Sequence, residues 1–299
     1  MKSSKKLAYS KVIQPKSKRY KMTELTILTD DNYYSDKTYM SVSRFKEYMK
    51  CEARAKAIDD GVWDDERDRK PLLFGNYVHS YFESEEAHEK FKDDNKKSLF
   101  ASRKPYGLLA DFKFAEKVID TLKDDTLFNN LYHGKKGDKV EKEKIVTGII
   151  ADVPFKGKLD SINFSRGYVV DLKTMKSIWT KEWSEELRTK VPTAVINILG
   201  FQYHVQLGTY LELLRQMGYP TFKPFIVAVS KEKQPDKEII ELTEEWLEEG
   251  LKYITEHAPR VYQVSLGNKE PKKCGHCDYC KSQKKLHEVL TLDDLLNRE

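Results

Sequence analysis

The sequence predicts an α/β (α+β) fold. It has a central mixed sheet, an antiparallel meander plus one further strand, flanked by helices. Three observations predict it. Short β-type runs follow one another between residues 144 and 173, separated by turn clusters. Helical periodicity brackets that block, at 71–83 and 107–132 before it and at 201–217 after it. A further apolar run, Lys223 to Ser230, has the composition of a buried strand. The chain has 299 residues, 39% hydrophobic and 34% charged, which suits a highly charged globular protein with a sizeable core.

The net charge of +5 permits a polyanionic partner without requiring one, because clustering decides. No apolar run reaches the roughly 18 residues that cross a bilayer. The N-terminus has lysines but no apolar segment of a secretory signal. The expected location is the cytoplasm, away from membranes, where thiols stay reduced. The four cysteines therefore read as ligands or free thiols rather than disulfides.

In residues 1–24, eight basic residues precede the first acid, Glu24, and no apolar period is visible. A basic disordered tail is expected there, with a single domain over 25–299. Residues 40–60 read as one helix with Ser41 or Ser43 as N-cap and Phe45, Tyr48, Met49 and Ala53 as its apolar stripe. Cys51 lies off that stripe. From Pro71 to Glu83, helical spacing puts Gly75, His79 and Glu83 on one face, with Gly75 small enough for close approach to a neighbour. Residues 85–100 read as a solvated helix end and loop, and 107–132 as a helix. Gly134 to Asp138 is a turn, followed by strands at 144–150 and 155–163. Residues 174–198 show no assignable pattern. The helix at 201–217 stops at Gly218 and sets Gln202, Gln206 and Tyr210 on one face. A partner strand follows at 238–242. Thr243 then caps a helix running to about His257.

The chemistry concentrates in Gly157-Lys158-Leu159-Asp160 and in Tyr168 to Lys173, joined by the turn Ser165-Arg166-Gly167. Residues two apart on a strand share a face. Asp171 and Lys173 therefore project together, and Leu172 points into the opposite layer. If the strands pair through the turn, Asp160 lies near Asp171. Two close carboxylates repel, which makes them ligands for a hard cation such as Mg²⁺ or Mn²⁺. Asp171-Leu172-Lys173 taken alone reads as a surface hairpin with a salt bridge, because such triplets are common by chance. Near the C-terminus, Cys274, Cys277 and Cys280 form C-x-x-C-x-x-C. That spacing suits an iron–sulfur cluster or zinc. Cys51 is the remaining cysteine that could complete four ligands; His276 or His287 could also serve for zinc.

In order, the chain offers G-x-x-x-H-x-x-x-E at 75–83, G-x-x-D at 157–160, D-x-K at 171–173, Q-x-x-x-Y at 206–210 and a split cysteine set. Over residues 40–285 this resembles the PD-(D/E)XK nuclease superfamily. It is most similar to phage and prophage exonucleases of the exodeoxyribonuclease-eight and lambda-exonuclease type and to the iron–sulfur CRISPR adaptation nucleases. The resemblance implies a restriction-endonuclease-like core and a Mg²⁺-dependent exonuclease of linear duplex DNA, 5′-to-3′, in phage-type recombination or repair, beside a single-strand annealing protein. His79, Asp160 and Asp171 would be side-chain ligands of one or two Mg²⁺ ions, with the Leu172 carbonyl as a backbone ligand. Lys173 would orient water, Gln206 and Tyr210 would support it, and Glu83 would serve a second metal. Arg44 and Lys46 would be candidates for a terminal 5′-phosphate. Cys51, Cys274, Cys277 and Cys280 would hold a [4Fe–4S] cluster as a staple between the early helix and the C-terminus. The C-terminal spacing departs from that group, which has a longer gap where Cys280 follows Cys277 by three, so Zn²⁺ stays open. Two other readings are a single-strand-specific nuclease and a non-catalytic nucleic-acid-binding module that keeps the fold.

Overall fold

The computed structural model describes residues 25–65 and 69–296, so the basic tail expected over 1–24 lies outside it. Residues 40–60 are not one helix. Met40–Ser41 is a short strand, β1, followed by helices α1 (Val42–Lys50) and α2 (Glu52–Asp59). Ser41 caps α1 by accepting the Arg44 N–H at 3.2 Å, which satisfies one of the unpaired donors at a helix start. The break falls on Cys51, whose extended backbone (φ −165°, ψ 107°) ends α1 and begins α2.

Lys70–Glu83 forms α3 with Pro71 in its first turn, where a missing N–H costs nothing. The run 85–100 is helical rather than a loop: Glu85–Asp94 is α4, capped by Ser84, and Lys96–Leu99 is α5. Residues 107–132 divide into α6 (Ala110–Lys123) and α7 (Thr126–Tyr132). Asp125 imposes that division by accepting the Phe128 N–H at 2.9 Å as a new N-cap.

The meander forms as expected from Val140–Ile150 (β2), Val153–Asn163 (β3) and Tyr168–Met175 (β4), with β2 beginning four residues before the expected start. The unassigned stretch holds a separate hairpin, Lys181–Ser184 (β5) with Thr189–Pro192 (β6), and helix α8 (Thr193–Gly200). The next helix, α9, spans Tyr203–Gln216; Gln202 precedes it in left-handed conformation (φ 53°). Lys223–Ser230 (β7) runs parallel to β4, which makes the sheet mixed, and Lys237–Glu241 (β8) closes it antiparallel. Helix α10 extends past His257, from Glu244 to Ser265. Two short helices follow, α11 (Asp278–Ser282) and α12 (Leu292–Leu296). No helix among the described residues is long and apolar enough to cross a membrane.

The sheet separates two apolar layers. Phe74, Val78, Phe112, Ile119 and Phe128 pack with Val170, Leu172 and Val227 on one face. Phe45, Val205, Leu213, Ile254 and Val261 pack with Leu159, Val169 and Ile226 on the other. Leu172 thus lies in the layer opposite its neighbours, as strand alternation predicts.

Helices α9 and α10 cross at two glycines. A Cβ on Gly208 would sit 2.5 Å from the Leu247 carbonyl oxygen, and one on Gly250 2.6 Å from that of His204. Gly75 differs, since its added Cβ would meet only Thr174 Oγ1 at 3.8 Å, so close approach does not require it. Gly208→Ala and Gly250→Ala should each lower the urea-unfolding free energy by about 2–3 kcal/mol through backbone collision. Gly75→Ala should not lower it, because alanine favours the helix by roughly 1 kcal/mol. Equal losses at all three positions would contradict this packing.

Candidate active site

The site opens where β3 and β4 part. Their ladder pairs Asn163 with Tyr168, Ile162 with Val169 and Ser161 with Val170, and ends there. The same edge of β3 is next occupied by β1, at Phe155 and Lys156. At the fork the Asp160 side chain takes over from the ladder. Its Oδ2 accepts the Leu172 N–H at 2.8 Å and lies 3.3 Å from His79 Nδ1. Helix α3 therefore delivers the histidine to the aspartate, and a side chain joins G-x-x-D to D-x-K.

Asp171 is 4% exposed. Its Oδ1 accepts from Gln206 Nε2 at 3.1 Å, and that amide also donates to the Tyr210 hydroxyl at 3.2 Å. Gln206 and Tyr210 thus support Lys173 through Asp171. The Tyr210 ring rests on Gly157, where a Cβ would come within 2.4 Å of a ring carbon. The glycine of G-x-x-D is what admits the tyrosine of Q-x-x-x-Y. Lys173 Nζ is 2.7 Å from Asp171 Oδ2 and 5.1 Å from the Tyr203 ring centre.

The electrostatics follow from burial. Desolvation raises the Asp171 carboxyl above its ordinary range; Lys173 opposes this and Asp160 adds to it. Burial works against the Lys173 ammonium, yet Asp171 and Asp160 outweigh it and raise its pKa. Glu83, at the end of α3, is also raised by burial, with Lys158 opposing and Asp30 and Asp160 adding.

The donor set fits a hard divalent cation. Asp171 Oδ2 is buried and, apart from its ion pair with Lys173, meets the geometry of no hydrogen bond. That leaves lone pairs beside a second carboxylate and an imidazole. Such oxygen-rich sets suit Mg²⁺ or Mn²⁺.

The fold gathers His79, Asp160, Asp171, Lys173, Gln206 and Tyr210, with Glu83 at the margin and Leu172 contributing its peptide. Arg44 is committed elsewhere, bound to Asp59 through Nε at 2.9 Å and a terminal nitrogen at 2.8 Å. Lys46 does reach the site's edge, donating to the Phe201 carbonyl at 2.7 Å. Burial and then Lys173 press its pKa down to about 8.

Sequence reasoning misses Glu143. The β2–β3 register pairs Lys142 with Ser161 and Lys144 with Leu159, which sets Glu143 across from Asp160. Glu143 has left-handed backbone (φ 49°), and Lys158 Nζ lies 3.3 Å from its carboxylate. Burial, then Asp160, pushes its carboxyl from 4.5 up to about 7 against the pull of Lys158. Only the strand register carries this signal, because Glu143 sits among charged neighbours in Val-Glu-Lys-Glu-Lys.

Comparison with known proteins agrees with this fold. The family described as a PDDEXK-like domain of unknown function matches residues 41–283. A crystal structure of a proposed exonuclease from Eubacterium rectale is 31% identical, with a TM-score of 0.78, over 91% of this chain and 99% of that one. A second solved structure, of SSO0001, is 15% identical over 79% of this chain and 92% of that one; its TM-score of 0.29 is too low to carry weight. No curated protein matches the sequence.

Glu143 has a consequence for stability. Well below pH 4.5 it is protonated in folded and unfolded chains alike. As pH rises toward 7, the unfolded chain releases this proton first, so stability falls. In the presence of a chelator, Glu143→Gln should exceed wild type in urea-unfolding free energy at pH 8 by about 1–3 kcal/mol. The difference should shrink toward pH 4.5. A pH-independent difference would refute the assignment.

Proposed function

The chain belongs to the PDDEXK-like family, and from that premise we propose that it is a metal-dependent deoxyribonuclease that digests linear duplex DNA from its ends, 5′-to-3′. The observation that carries the reading is the buried Asp171, whose Oδ2 is met by the Lys173 ammonium alone, with Asp160 and His79 held at the same fork. The exonuclease description of the Eubacterium rectale relative supports it.

His79, Asp160 and Asp171 would hold Mg²⁺ or Mn²⁺, with the Leu172 carbonyl as backbone ligand and Glu83 and Glu143 flanking. When bound, the metal supplies charge neutralisation at the scissile phosphate and acidifies water. The chain's own groups do the rest. Lys173 is held protonated by Asp171 and Asp160. As a cation it orients water and counters phosphate charge. Gln206 fixes the Asp171 carboxylate, and Tyr210 fixes Gln206. Lys46, at the rim, supplies a second positive charge for the DNA backbone. We place the enzyme in the cytoplasm of a bacterial or phage-infected cell, in recombination or repair beside a single-strand annealing protein.

The test is Mg²⁺-dependent digestion of 5′- and 3′-end-labelled linear duplex, with single strands in parallel. Wild type should release 5′-terminal label from duplex first. Asp171→Ala should fall by roughly 10²–10³-fold or more, the loss expected for a key electrostatic group, while its circular dichroism stays native. Equal digestion by Asp171→Ala would defeat the nuclease assignment. Digestion confined to single strands would defeat the duplex assignment alone.

A further inference from the structure

The four cysteines form a second constellation, apart from the carboxylates. Cys51 and Cys280 are buried, and their sulfurs lie 3.6 Å apart. Cys274 Sγ is 3.9 Å from Cys280 Sγ, and all four sulfurs lie within 4.8 Å of one another.

That spacing distinguishes two kinds of centre. One tetrahedral ion with metal–sulfur bonds of about 2.3 Å sets its four sulfurs roughly 3.8 Å apart, because a tetrahedron's edge is about 1.6 times its centre-to-corner distance. In a four-iron cube each thiolate caps a different iron atom. Those sulfurs stand outside the cube on four different metals, farther apart than the 4.8 Å limit that contains this set. The observed sulfurs enclose room for one ion and not for four irons with their sulfides.

The backbone is shaped for the smaller centre. Cys274-Gly275-His276-Cys277 turns tightly, with Gly275 at φ +84° and the Cys277 N–H donating to Cys274 Sγ at 3.3 Å. Cys277 is the N-cap of α11, and Cys280 projects from that helix. Cys51 comes from the break between α1 and α2. Neighbouring contacts dock the two segments independently of sulfur. The Ala53 N–H donates to the Lys272 carbonyl at 3.0 Å. Glu52 accepts the Lys272 N–H at 2.7 Å and two Arg260 bonds at 2.8 Å each. His276 and His287 are exposed, and the four thiols already supply four ligands.

We propose that Cys51, Cys274, Cys277 and Cys280 hold a single tetrahedral zinc ion, in place of a four-iron cluster, and that this ion clasps α2 to the C-terminal knuckle. Binding releases the thiol protons and adds to folding stability.

The full chain, purified anaerobically, should contain one zinc per chain, no acid-labile sulfide and no visible colour. Exchange for Co²⁺ should give the strong visible bands of a tetrahedral tetrathiolate. About four irons with matching sulfide per chain, or no retained metal, would overturn the proposal. Cys277→Ser should lose the zinc and lower the thermal midpoint by more than about 5 °C. If that variant fails to fold, wild type stripped by a chelator gives the same reading. Its midpoint should fall and return with added zinc. A midpoint that ignores zinc removal would rule out the clasp.

Discussion

The candidate site depends on the separation of β3 from β4 after Ser161 and Val170. A continued ladder would consume the Leu172 N–H in a backbone bond. Because the strands part, that donor goes to the Asp160 carboxylate at 2.8 Å. One hydrogen bond then performs two tasks. It satisfies a backbone donor that would otherwise be costly to bury, and it fixes the distance between the two carboxylates. The fork is also where α3 reaches the sheet with His79, so three potential ligands converge where regular pairing stops.

Charge balance at the fork is as restrictive as its geometry. Asp171 is nearly inaccessible to water, and burying a lone carboxylate is expensive unless it is paired. Lys173 provides that pairing, and the Gln206 amide occupies the other oxygen. Two ammoniums, Lys173 and Lys158, cannot offset Asp160, Asp171, Glu83 and Glu143 together, and burial raises the Glu143, Glu83 and Asp171 carboxyls. A divalent cation is the group whose charge suits that surplus. Site and cation are therefore coupled through desolvation: the burial that disfavours ionised carboxylates is the burial that makes the pocket receptive to metal.

Much of this was legible in the residues. Alternation along Tyr168 to Lys173 put Asp171 and Lys173 on one face and Leu172 on the other, and the apolar layers divide accordingly. Helical spacing put Gln206 and Tyr210 together, and they are hydrogen-bonded. Several features escaped local patterns. The helix break at Cys51 has no glycine or proline to announce it, and the periodicity runs straight through it. Asp125 divided a predicted helix because aspartate is both a tolerable helix residue and a strong cap. Glu143 was hidden because its role arises from register against β3, a non-local property. Gly75 gave the opposite error, since small size suggested close packing that the neighbours do not impose.

The supporting helix and the cysteine clasp form one mechanical path. Helix α9, which carries Gln206 and Tyr210, is seated against α10 by the glycine crossings at Gly208 and Gly250. The far part of α10 carries Arg260, which grips Glu52 at the start of α2. Glu52 in turn accepts the Lys272 N–H, two residues before Cys274. The carboxylate fork and the thiol set thus lie at opposite ends of α10-mediated contacts, with the sulfurs at the distal end. A clasp there would bear on α10, which meets α9 backbone to backbone at the glycines. Side-chain packing could absorb small shifts by changing rotamers, but a contact between a glycine and a carbonyl cannot. A metal held by the thiols would in this way help keep Gln206 against Asp171 without entering the chemistry.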